Sequence, residues 1–209
     1  MGNEFEPTVI YEQKGGVLAV QAPDQKLEEC LKAQKAMDAF AACGMNIELA
    51  KKLFLEYLSL PITNEEDQFT DESRTRKTEH VITREVVIKG ESIKLLQVDF
   101  YPPAVERGGA TIGGVFTNTA EIILGLEGRG VLEVVPVITE EGKIFPDTAH
   151  SQDITIERGT LVILPPNIQG NRWKSLESNS EPTPSLRALF VAYPASYESA
   201  VTRKFDTKL

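Results

Sequence analysis

Two histidines, His80 and His150, and two cysteines, Cys30 and Cys43, are all the imidazole and thiol this 209-residue chain carries. Carboxylates and guanidinium groups are therefore left to do any polar chemistry. Glu121 opens a long apolar run, and a carboxylate there can take up and return a proton, or sit in an ion pair with Arg129 or Arg172. Arg172 follows the Pro165-Pro166 step and can stabilise developing negative charge, or lie on the surface stacked on Trp173. Trp173 can line a sugar pocket or fill a core. Divalent catalytic sites want about three protein ligands plus water, which one carboxylate does not supply. No residue is assigned as a metal ligand and no cofactor is expected, although Asn118, Asn167, Gln169 and Asn171 leave room for a weak, oxygen-rich divalent site.

The elements that must position these groups are mostly strands. Glu121 to Val135 reads as two apolar strands around a Gly128-Arg129-Gly130 turn, because glycine tolerates the positive φ of a tight hairpin. Ile154 to Pro166 reads as a turn at Gly159 feeding a buried strand that the prolines stop. Val81–Ile88, Lys89-Gly90 and Ser92–Phe100 read as a hairpin, and Leu186–Tyr193 as a last strand. Near the N-terminus, Thr8–Tyr11 and Gly16–Val20 fit two short strands or an arm laid on a partner subunit. Asp24 offers a helix cap, Leu27, Leu31, Met37, Phe40 and Ala41 form an apolar stripe, and Gly44 stops it. A second helix begins at Asn46, buries Leu49, Leu53, Phe54, Tyr57 and Leu58, and ends before Pro61. Cys30 and Cys43 then lie on one helix about 20 Å apart by its rise, too far to bridge, and read as reduced structural thiols. Thr63–Thr78 reads as a solvated linker, Thr139–Asp153 and Glu177–Ser185 as polar loops, and Glu127 and Glu133 as surface charges. The resulting division is a strand and helical extension over 1–62, a linker over 63–79, a barrel over 80–200 and a tail over 201–209.

Strand, Gly turn, strand, Gly turn, strand and Pro165-Pro166, in that order, resemble the cupin superfamily. Phe100 to Glu121 and Leu189 to Tyr197 resemble one branch, the cupin-type (archaeal-type) phosphoglucose isomerases, over roughly residues 80 to 197. That branch carries Pro-Pro-Gly, Thr-x-Gly-His-x-His, Ala-Glu-(Val/Ile)-Tyr and a closing Val-Tyr-Pro-Ala. Matching it here are Thr111-Ile112-Gly113, Ala120-Glu121 and Ala192-Tyr193-Pro194-Ala195. The resemblance implies an all-β jelly-roll (RmlC-like) barrel with an N-terminal helical extension. It also implies isomerisation of glucose 6-phosphate and fructose 6-phosphate, in which charge builds on enediolate oxygens, a metal stabilises it and a carboxylate shuttles the proton. Glu121 would be the catalytic residue; Thr111, Arg172 and Tyr193 would touch the substrate. The departures are equally specific. Gly114 and Phe116, or Val115 and Thr117 in a shifted alignment, stand in place of two histidines, Gly170 or Asn171 in place of the third, and Ile123 in place of the tyrosine.

The formal charge of −9, with no basic cluster, excludes nucleic acid and anionic membranes as partners. No apolar run reaches the ~20 residues of a membrane span and no signal-peptide core is present, so the expected location is the cytoplasm. Three readings stay open: a cupin that binds a small sugar or sugar phosphate with weak or no metal-dependent catalysis, an active isomerase with a displaced site, and a structural or interaction barrel filled by Val115, Phe116 and Ile123. The apolar helices and N-terminal strands predict a homodimer.

Overall fold

A computed structural model describes residues 8–13, 17–21, 34–57, 70–77, 81–101, 119–140, 143–166, 169–176 and 185–194. Eleven strands and two short helices run through them. The strands are β1 (Thr8–Gln13), β2 (Val17–Gln21), β3 (Thr70–Lys77), β4 (Val81–Ile88), β5 (Lys94–Phe100), β6 (Ala120–Glu140), β7 (Lys143–Pro146), β8 (Gln152–Glu157), β9 (Thr160–Leu164), β10 (Gln169–Leu176) and β11 (Leu186–Tyr193). The helices are α1 (Gln34–Ala42) and α2 (Ile47–Lys52), the latter passing into a wider turn over Leu53–Tyr57. Every strand pairing is antiparallel, in the path β1-β2-β9-β6-β11-β5-β4-β3, with β7, β8 and β10 joined to β6. The fold is an all-β, barrel-like jelly roll with helices on its outside, as expected.

Strand β6 organises it. Its first half pairs with β9 and β11, and its second half with β8 and β10, so one continuous strand serves two sheets. The expected hairpin turn at Gly128–Gly130 is instead a bend within this strand. Gly128 has the positive φ (75°) anticipated for it, but long-range packing uses it: a Cβ there would lie 2.1 Å from the Ser185 carbonyl oxygen. The Arg129 amide donates to that same oxygen at 2.8 Å. Gly125 is as constrained, since its Cβ would come 2.0 Å from the Glu157 carbonyl oxygen. Its own carbonyl accepts from the Gly159 amide in the β8–β9 turn.

Two cores result from the strict alternation of side chains. One face of the main sheet, with Leu18, Val20, Ile122, Leu161, Ile163, Val191 and Leu95, packs under α1 and α2, which bring Ala36, Phe40, Ala50 and Leu53. The other face, with Ile123, Val162, Phe190, Val98 and Phe100, meets Leu132, Val134, Ile154 and Ile156 and forms the barrel interior. The helix ends follow local chemistry. Asn46 Oδ1 accepts from the Leu49 amide at 2.8 Å as the N-cap of α2, and Gly44 (φ 76°) ends α1.

Several polar stretches are more structured than composition indicates. Thr70–Lys77, within the expected linker, is strand β3 paired with β4. Within the expected loop 139–153, Lys143–Pro146 pairs back onto the end of β6, and Thr148–His150 forms a short 3-10 turn. Charge-rich sequences form such strands at a sheet edge, where one side of the ladder remains solvated. The two N-terminal strands pair with each other, and β2 pairs with β9 of the same chain.

The two backbone approaches along β6 generate a stability prediction. Gly125→Ala forces backbone apart and should cost more than the ~1–3 kcal/mol of ordinary overpacking. Gly90→Ala, where an added methyl meets nothing within 4 Å, carries the left-handed backbone penalty alone, about 1 kcal/mol. Urea midpoints of the two variants measure this, and equal losses would contradict the packing account.

Candidate functional site

Glu121 opens β6 on the interior face, two residues before Ile123. Its ladder neighbours are Leu164 on β9 and Ala192 on β11, and Ala192 in turn pairs with Lys94 on β5. Leu164, Glu121, Ala192 and Lys94 thus form one row across four strands. The next row inward is Val162, Ile123, Phe190, Leu96 and Glu85. Glu85 reaches diagonally to Lys94, with its Oε1 3.1 Å from the Lys94 ammonium. Glu121, Lys94 and Glu85 are only 8%, 8% and 5% exposed. One end of an otherwise apolar interior therefore carries three ionisable groups, and the desolvation of Lys94 is offset by its carboxylate partner.

The spacing defines what this end can do. Strands lie about 4.8 Å apart, so the Glu121 and Lys94 backbones stand about 10 Å from each other on either side of the fully buried Ala192. A carboxylate and an ammonium can bracket a small polar group from two sides, one accepting and one donating hydrogen bonds. Phe190, two residues before Ala192 on the same face, supplies an aromatic floor; its ring centroid lies 6.4 Å from that of Phe100. Thr119, just before β6, donates to the Pro194 carbonyl at 3.5 Å and ties together the two strands on which Glu121 and Ala192 sit.

Other residues picked out by sequence fall elsewhere. Tyr193 lies on the opposite face from Glu121, packed against the helix-covered core with its ring facing Gly44. Strand alternation turns its side chain away from the interior, so the structure does not bring it to Glu121. The backbone of Arg172 in β10 pairs with Glu133, beyond the bend at Gly128 and away from Glu121. Thr111, Val115, Phe116, Asn118 and Asn167 lie outside the described residues, as does His80. Glu133 is 2% exposed rather than a surface charge, because its strand is flanked by β8 and β10; Glu127 is exposed as expected. Lys94 and Glu85 were not anticipated. They lie on the two arms of the β4–β5 hairpin, and the packing of β11 and β6 beside β5 places their face toward the interior.

A divalent ion does not suit this row. Among the described residues no three His, Cys, Asp or Glu side chains come together, and the Lys94 ammonium in the row opposes a cation. His150 is exposed, paired with Asp147 at 2.7 Å on the 3-10 turn. Cys43 is buried, and desolvation pushes its thiol up to about 12, which makes it a poor nucleophile at neutral pH. No helix among the described residues is long and apolar enough to cross a membrane.

On the reverse face of the main sheet, Asp99 is fully buried between two guanidinium groups. Arg187 Nε donates to it at 2.7 Å and Arg84 Nη1 at 2.9 Å, while Arg187 also reaches Glu127 at 3.2 Å. Burial works to raise the Asp99 carboxyl, but the hydrogen bonds from Arg187 and then Arg84 outweigh it and hold the group below its ordinary value. A depressed folded value means stability that is complete above the unfolded value of about 3.9 and lost as pH falls through the folded one. Asp99→Asn should therefore cost on the order of 3 kcal/mol at neutral pH, with a gap from wild type that narrows below about pH 4. Urea unfolding across that pH range measures it, and a pH-independent gap would exclude the ionic account.

No family model matches this chain, and no curated protein does. Solved structures do. A PAC13 variant from Streptomyces, solved with uridine, is 11% identical over 68% of this chain and 93% of its own, with a TM-score of 0.41. Oxalate decarboxylase from Lactobacillus farciminis, in a formate complex, is 15% identical over 62% of this chain and 33% of its own, with a TM-score of 0.42. Hydroxypropylphosphonic acid epoxidase from S. wedmorenis is 14% identical over 79% and 78%, with a TM-score of 0.42. At this level the likenesses assign neither residue nor activity to this chain, and its jelly-roll architecture rests on its own strand pairing.

Proposed function

We propose that this protein is a cupin that binds a small sugar or sugar phosphate at the Glu121 end of its barrel, with weak or no metal-dependent catalysis. The observation that carries the reading is the row Glu121, Ala192, Lys94, with Glu85 beside it, closing an apolar interior. Ligand sites of this kind combine an apolar wall with a few convergent polar groups. Kinship with the cupin-type phosphoglucose isomerases is part of the proposal, supported by the order of the sequence motifs and by the interior position of Glu121. Without a Lewis acid worth several kcal/mol of charge stabilisation, isomerisation slows by orders of magnitude. A coupled assay on wild type and Glu121→Gln, with and without added divalent metal, should show little or no interconversion of glucose 6-phosphate and fructose 6-phosphate. A robust wild-type rate that Glu121→Gln abolishes would instead establish an active isomerase.

A structural role is the second reading, favoured by Ile123, Leu132, Ile154 and Ile156, which are fully buried and fill much of the interior. Under either reading we place the protein in the cytoplasm as a homodimer that binds neither nucleic acid nor membrane. Support for the dimer comes from Val9 and Ile10, 37% and 44% exposed on strand β1, and from Ile47 at the start of α2. Light scattering at micromolar concentration should give twice the 23.1 kDa chain mass, and a monomer alone would refute it.

A further inference from the structure

We propose that Arg84 and Arg187, held by Asp99 on the reverse face of the main sheet, form a site for one small oxyanion group, a carboxylate or a phosphate, with Glu127 as its built-in competitor. The site lies on the opposite face from Glu121 and does not depend on the sugar-binding reading. Its frame is a row across neighbouring strands, in which the backbones of Ile82, Asp99, Arg187 and Glu127 pair in turn. Arg84 stands two residues along β4 from Ile82, on the same face.

Three observations carry the assignment. First, both guanidinium groups are fixed before any ligand arrives. Asp99 is fully buried; one of its oxygens accepts from Arg187 Nε at 2.7 Å, and the other from Arg84 Nη1 at 2.9 Å and Arg187 Nη2 at 3.3 Å. Long side chains that are already ordered lose little further entropy when they bind. Second, donors remain at the surface. A guanidinium carries five N–H groups in a planar fork, and Arg84 uses one of them on Asp99, its sole acceptor among the described residues. The Arg84 side chain is 30% exposed, so the rest of its fork is within reach of solvent. Such a fork matches the paired oxygens of a carboxylate or a phosphate. Third, the charges are unequal. Two guanidinium groups against one carboxylate leave a local charge of +1 on a chain whose formal charge is −9.

Glu127 answers that excess only loosely. Its carboxylate lies 3.2 Å from Arg187 Nη1, longer than the ~2.7–2.9 Å of a strong charge-assisted bond, and its side chain is 65% exposed. A solvated pair of this kind contributes little, so an anion from solution can displace it. Two cations around one buried carboxylate suit a single oxyanion group and not a polyanion, consistent with the absence of any basic run in the sequence.

Isothermal titration calorimetry at low ionic strength with sodium acetate and with inorganic phosphate tests the site, with sodium chloride as the control. The proteins are wild type, Glu127→Gln, Arg84→Lys and Arg84→Gln. Arg187 keeps both of its hydrogen bonds to Asp99 in the Arg84 variants, so they remain folded, and thermal melts check this. Wild type should bind at least one of the two oxyanions. Glu127→Gln, which removes the competing carboxylate, should bind it about twofold to fivefold tighter. Arg84→Gln should bind it about tenfold or more weaker, and Arg84→Lys, which keeps the charge but not the fork, should fall between. Tighter acetate identifies the ligand group as a carboxylate and tighter phosphate as a phosphoryl group; either supports the site. Absence of binding in both wild type and Glu127→Gln would overturn it. So would Arg84→Gln within twofold of wild type, Glu127→Gln no tighter than wild type, or chloride heats equal to those of the oxyanions.

Discussion

Everything in this barrel hangs on the close backbone crossings of β6. At Gly125 and Gly128 the strand comes so near the Glu157 and Ser185 carbonyls that a single methyl would collide with either oxygen. These contacts let one strand leave the helix-covered sheet and enter the second sheet without a break in pairing. The opposed faces of the two sheets then enclose the interior, and Glu121 lies at the start of the strand, on that enclosed face. Had β6 ended in a hairpin at Gly128, Leu132 and Val134 would not close over Ile123, and the Glu121 row would open to water.

Features fixed by local chemistry were legible in the sequence. The Asn46 cap, the Gly44 stop, the Gly90 and Gly159 turns and the alternation of Ile154, Ile156, Val162 and Leu164 each depend on residues close along the chain. Features fixed by contacts between distant segments were not. Gly128 announces a positive φ but not whether a turn or a crossing uses it, and Ser185, more than fifty positions away, decides that. The burial of Glu85 and Lys94 depends on β11 and β6 lying beside β5, which no local pattern announces. Tyr193 carried a sequence match, yet one position of strand alternation puts it on the wrong face. Glu121, singled out by its match to the Ala-Glu motif, falls on the interior face by the same alternation that places Ile123 there.

The sheet handles its buried charges in opposite ways on its two faces. On the reverse face Asp99 receives two guanidinium groups, each about a third exposed, so its charge is more than matched and solvent shares the load. On the interior face one ammonium stands among carboxylates, and all three groups are nearly dry. The first arrangement holds β4, β5 and β11 in register through a single carboxylate. The second places an ion pair, Lys94 with Glu85, on a face that is otherwise lined by apolar side chains.

The two borders of the main sheet are chemically unlike. Strand β3 ends one side and is built from Asp71, Glu72, Arg74, Arg76 and Lys77, whereas β1 ends the other with Val9 and Ile10 in contact with solvent. A sheet with two apolar borders could stack head to tail without limit into a filament. A border rich in charged residues disfavours pairing of another strand there, whereas an apolar border does not. The charge density of Thr70–Lys77 thus weighs against edge-to-edge pairing on that side of the main sheet and leaves β1 as its apolar border.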